Sequence, residues 1–106
     1  MKADFLTVLC RTDAGKPGHR GMSMLLLERG MPGINLRRMQ TQGWWASQTT
    51  YVEFDNVRVP TANLIGKEGE GFRYTMINFN HERFLMTAQM LRFSRICLEE
   101  SIAFAR

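Results

Sequence analysis

From Phe72 to Arg106 the chain carries neither proline nor glycine, and so long a run without a helix breaker predicts one long helix. Phe72, Met76, Phe79, Met86, Met90, Phe93, Cys97 and Phe104 recur at steps of three, four or their sum, the spacing at which side chains share a helix face. Ile77, Phe84, Ala88, Leu91, Leu98 and Ile102 form a second line beside the first. Apolar surface then covers well over half the circumference, and such a helix is expected to be packed on several sides. Two polar residues interrupt the lines: Arg83 falls between Phe79 and Met86, and His81 falls at the matching point of the second line. A guanidinium facing a packed interior is costly unless acceptors meet it. The segment Asn80, His81, Glu82 and Arg83 is therefore the candidate site.

A helix of this extent would span roughly 50 Å, longer than a domain of 106 residues is wide. It is expected to need partners outside the chain. No glycine cap or proline follows Arg106, so the sequence reads as a fragment. With 44% hydrophobic and 23% charged residues the composition is globular, which excludes a disordered chain. A net charge of +4 and a pI near 9.6 favour anionic partners, but the basic residues are not gathered into a long run, and phosphates on a small ligand would suffice. Cys10 and Cys97 read as small buried hydrophobes in a reducing compartment, with no disulfide and no metal-ligand spacing around either. No apolar stretch is long enough to cross a bilayer, and residues 1–12 lack the pattern of a secretory signal; a soluble protein is expected.

The rest of the chain reads as short β segments. Phe5–Thr12 and Met22–Glu28 look like the strands of a hairpin, joined by a glycine-rich tip that carries Lys16, His19 and Arg20. As a loop these bases are solvated charge; as a site they would meet phosphate. Arg29–Gly33 reads as a turn, Ile34–Met39 as a short strand, and Tyr51–Val59 as a half-buried strand ended by Pro60. Between these strands, Trp44 and Trp45 would point to opposite faces if the backbone there is extended, one buried and the other against something outside the sheet; the alternative places both in a core or an interface between domains. The glycines of Asn63–Gly71, NLIGKEGEG, precede the helix, but their spacing matches neither nucleotide-binding fingerprint. Glu68 and Glu70 there suit the dipole of the first helical turn.

Taken in order, GWWASQTTYVEFDNVRVP from Gly43 to Pro60, NLIGKEGEGF from Asn63 to Phe72 and HERF from His81 to Phe84 resemble the acyl-CoA dehydrogenase family over essentially the whole chain. Gln48 departs from the aspartate usual beside Ser47 in that pattern. The resemblance implies an α+β chain. Residues 1–66 would be antiparallel β segments of a barrel-like middle domain, and residues 67–106 the first long helix of a C-terminal helical bundle, truncated. It implies FAD-dependent α,β-dehydrogenation of acyl-CoA thioesters, an oxidoreductase reaction on CH–CH groups in which a glutamate takes the α-proton and flavin takes the β-hydride. Glu82 matches one of the family's two positions for that base; the other would lie beyond Arg106. Glu82 is expected to face a cleft and Arg83, about 100° away around the helix, the packed side. Asn80, His81, Glu82 and Arg83 match the segment lining the substrate, and His19 lies near a position that meets CoA. Flavin contacts would fall mostly outside residues 1–106. The implied partners are electron-transfer flavoprotein or another acceptor and further copies of the chain, as a homodimer or homotetramer, in the cytoplasm or mitochondrion. The alternative is a non-catalytic binding protein on the same fold, associated with nucleic acid through its basic surface.

Overall fold

The computed structural model describes residues 3–106; the first two residues of the expected β region lie outside the described residues. The chain divides into two compact units, Met1–Phe72 and Arg73–Arg106. The first unit contains five short strands: β1 (Phe5–Arg11), β2 (Met22–Glu28), β3 (Ile34–Arg38), β4 (Thr50–Phe54) and β5 (Leu64–Ile65). Helix α1 runs from Gly71 to Phe104, so its first two residues, Gly71 and Phe72, belong to the β unit. Short antiparallel strands followed by one long helix are the α+β arrangement expected from the sequence.

β1 and β2 pair antiparallel along their full length, from Phe5 opposite Glu28 to Arg11 opposite Met22, and β5 adds to the other edge of β2. β3 and β4 form a separate two-stranded sheet, with Leu36 opposite Val52. Leu27 is the buried apolar residue of β2. On the same face, four pairs along, is Ser23, which is fully buried and polar. The Ser23 hydroxyl lies 2.7 Å from Thr12 Oγ1 and accepts from the Gly69 amide at 2.9 Å, so one buried hydroxyl ties β1, β2 and the loop before α1 together. Buried polar groups are tolerated when partnered in this way. Asn63 Nδ2 adds a second tie, donating to the Leu26 carbonyl at 2.9 Å.

Two expectations change. β4 stops at Phe54 instead of running to Val59, because Asn56 turns the chain with φ 49° while the Asp55 amide bonds back to the Gly33 carbonyl at 2.8 Å. The two tryptophans are not on an extended backbone. Trp44 is left-handed (φ 50°) and Trp45 opens a single 3₁₀ turn, Trp45–Ser47, so both indoles are exposed, at 69% and 71%. The turn is closed locally: Trp45 Nε1 donates to the Thr41 carbonyl at 2.7 Å and Ser47 Oγ to the Trp44 carbonyl at 2.8 Å. The apolar lines of α1 are formed and, within its own unit, uncovered, in keeping with a helix expected to need partners outside the chain. Ile77, Phe84, Leu91 and Leu98 are all more than 60% exposed, and Cys97 is exposed with them. A single helix has no second surface within its own unit on which to bury a stripe.

Candidate functional site

The segment singled out in the sequence lies in the middle of α1, with Asn80, His81, Glu82 and Arg83 all exposed. Helical spacing brings Phe79, Glu82, Arg83 and Met86 together around one shallow depression. Glu82 and Arg83 thus border the same space, although their Cβ directions differ by about 100°: a groove spanning two turns is wide enough for both long side chains. Arg83 therefore does not face a packed side within this unit. Glu82 and Arg83 both line the depression, together with Phe79 and Met86. Asn80 and His81 lie outside the group that lines the depression.

Glu82 Oε1 accepts a hydrogen bond from Asn78 Nδ2 at 2.7 Å. Sequence inspection passed over Asn78, although its i, i+4 spacing to Glu82 was visible. The Arg83 carbonyl carries a second bond from Thr87 Oγ1, 2.8 Å.

His19 belongs to the β unit, in the short 3₁₀ turn Gly18–Gly21 at the tip of the β1–β2 hairpin. The tip is built by Arg11, whose guanidinium donates to the carbonyls of Lys16 (3.0 Å) and Gly18 (2.6 Å). The His19 ring lies 5.0 Å from the Phe72 ring, tilted by 36°, which braces the tip against the first turn of α1. Lys16 is paired with Asp13 at 3.2 Å. The Lys16 ammonium, first, and the Gly15 amide, second, hold the Asp13 carboxyl below its ordinary value of 3.8. The Asp13 contribution to tip order is therefore present above the ordinary value and is lost as pH falls through the lowered one. An acid titration followed at the Gly15 amide by NMR should show its midpoint below pH 3.8; a midpoint at or above that value would remove Asp13 from the tip's structure.

A flavin ring needs a cradle with polar groups aimed into it. Among the described residues no side-chain nitrogen or oxygen is buried without a partner, and the depressions are shallow and open. These residues do not by themselves fit a flavin.

Residues 69–106 match the family model for the acyl-CoA dehydrogenase C-terminal domain. An acyl-CoA dehydrogenase of Emericella nidulans is 38% identical over 96% of this chain and 23% of its own length. The crystal structure of an acyl-CoA dehydrogenase from Geobacillus kaustophilus superposes with a TM-score of 0.71 at 41% identity, covering 76% of this chain and 22% of that one. A glutaryl-coenzyme A dehydrogenase in complex with glutaryl-CoA gives a TM-score of 0.71 at 38% identity, over 77% and 21% of the two chains. The chain spans about a quarter of the length of the curated relatives it matches. The strand order, the helix that follows it and these likenesses agree: the chain belongs to the acyl-CoA dehydrogenase family.

Proposed function

We propose that the protein dehydrogenates acyl-CoA thioesters between Cα and Cβ, with FAD as the cofactor of the whole molecule and Glu82 as the base that takes the α-proton. The observation that carries this reading is the adjacency of Glu82 and Arg83 on one depression flanked by Phe79 and Met86. A thioester carbonyl acidifies its α-hydrogens, and a carboxylate within reach can remove one. The Arg83 side chain has no acceptor among the described residues, so its donors are open to the polar part of a bound acyl-CoA. Phe79 and Met86 offer apolar contact to an acyl chain. On this reading Asn80 and His81 line the approach to the substrate, and His19, on the basic tip, meets CoA.

The family likeness supports the remaining assignments. Residues 1–66 would be part of the middle β domain and residues 67–106 the start of the helical domain. The protein would work as a homodimer or homotetramer in cytoplasm or mitochondrion, passing electrons to electron-transfer flavoprotein or another acceptor. The relatives named above are dehydrogenases, and nothing in them favours the non-catalytic, nucleic-acid-associated alternative. No helix among the described residues is long and apolar enough to cross a membrane.

The test is incubation of the holoprotein with butyryl-, isobutyryl- and palmitoyl-CoA and an electron-accepting dye, followed by mass spectrometry. The expected product is an acyl-CoA lighter by two hydrogens, with the new double bond between Cα and Cβ. Recovery of all three thioesters unchanged, from protein shown to hold flavin, would contradict the proposal.

A further inference from the structure

Glutamate is a long side chain, and an exposed one samples several rotamers. A general base has to be held within hydrogen-bond reach of the proton it removes, so whatever restrains Glu82 matters to the rate. The restraint visible in α1 is Asn78. Its Nδ2 lies 2.7 Å from Glu82 Oε1, at the short end of the range for an N–H···O bond. An ionised carboxylate only accepts, so the amide nitrogen and not the amide oxygen faces it. Both residues sit on one helix at i and i+4, where the backbone fixes the distance between their Cβ atoms. Other polar side chains farther along α1 behave differently: Thr87, Ser94 and Ser101 each bond backwards to the carbonyl four residues before. Asn78 instead reaches forward to a side chain. It is not among the residues lining the Phe79–Met86 depression, so it grips Glu82 from outside the space a substrate would take.

We propose that Asn78 is a positioning residue for Glu82: its amide holds one carboxylate oxygen and leaves the second oriented to accept the α-proton. The proposal rests on the reading of Glu82 as the base. In the step concerned the Cα–H bond breaks, its electron pair remains on the thioester as an enolate, and the proton forms an O–H bond on Glu82. In D₂O the carboxyl exchanges with solvent and returns a deuteron to Cα.

The readout is hydrogen–deuterium exchange at Cα of a 3-thia-acyl-CoA bound to the holoprotein. This ligand carries sulfur at the β position and has no β-hydrogen to lose as hydride. Asn78→Leu keeps approximate bulk without a donor and should slow exchange about 5- to 10-fold at saturating ligand, the scale of a modest misplacement of a reacting group, with ligand binding unchanged. Asn78→Asp, isosteric but lacking the donor, should slow it at least as much. Asn78→Gln, which retains the donor on a longer stem, should recover part of the rate. In a Glu82→Gln background, Asn78→Leu should cause no further loss. Exchange at the parent rate in both Asn78→Leu and Asn78→Asp, while Glu82→Gln is slow, would overturn the positioning role and leave the base assignment standing. An equal additional loss in the double variant would also overturn it, because Asn78 would then act independently of Glu82. Parent-rate exchange in Glu82→Gln alone would instead sink the base assignment itself.

Discussion

Gly71→Ala should destabilise the β unit by about 1–3 kcal/mol, the usual cost of forcing an extra carbon into a packed site. On propensity alone the sign would be the opposite, since alanine in place of glycine inside a helix gains up to ~1 kcal/mol. Contact geometry decides between the two effects. A Cβ on Gly71 would lie 2.5 Å from the Ser23 carbonyl carbon and 2.7 Å from Met24 N and Ser23 Cα. All three are backbone atoms of β2, held in register with β1 and β5, so no flexible side chain is available to give way. Gly71 is also where the loop bonded to Ser23 becomes α1, and a shift there would pull on the hydrogen bonds that buried Ser23 makes with Thr12 and Gly69. The thermal midpoint should fall by roughly 10 °C, measured by circular dichroism. Gly30→Ala is the control: nothing lies within 4 Å of the added carbon, and its midpoint should stay near that of the parent. Equal midpoints for the two variants would show that α1 does not start tight against β2.

Much of the architecture was legible because its signals were local. The helix announced itself by the absence of glycine and proline and by two apolar lines, and it spans Gly71–Phe104, close to the expected start and end. The β1–β2 hairpin followed from two β-rich runs around a glycine-rich tip. Local pattern failed where backbone conformation was set by turns. The alternation in residues 51–59 continued past Phe54, but it could not reveal that Asn56 would adopt a left-handed conformation and end the pairing. The tryptophan pair carried no periodicity to tell an extended backbone from a turn, and the hydroxyls of Thr41 and Ser47 close a tight turn around them. β5 has only two residues, Leu64 and Ile65, too few for any periodicity.

The candidate site was legible to a different degree. Interruption of an apolar line marked Arg83 and His81, and the family motif marked Glu82. The structure adds that Glu82 and Arg83 border one depression while Asn80 and His81 stand outside it. The lines also suggested that Arg83 would be buried. That inference assumed a covered helix, and within its own unit α1 is uncovered, so the stripe has no interior to face. Asn78 escaped notice because asparagine in mid-helix reads as a poor helix former, a bland feature until its bond to Glu82 is seen.

The largest expected effect is that of Glu82→Gln. The substitution keeps the shape of the side chain and removes the proton acceptor. Glu82 is exposed, its side-chain partner among the described residues is Asn78, and a glutamine oxygen can accept the same bond. Stability should therefore stay within about 0.5 kcal/mol, the usual range for a surface change, and a loss of rate could not be blamed on misfolding. The decisive measurement is exchange of the α-hydrogens of bound 3-thia-acyl-CoA with D₂O, followed by mass spectrometry on parent and Glu82→Gln holoprotein at saturating ligand. If Glu82 takes the α-proton, exchange slows by a factor on the order of 100 or more, the scale of a lost general base, while the ligand still binds. Exchange in Glu82→Gln at the parent rate would contradict the account and put the base elsewhere in the protein.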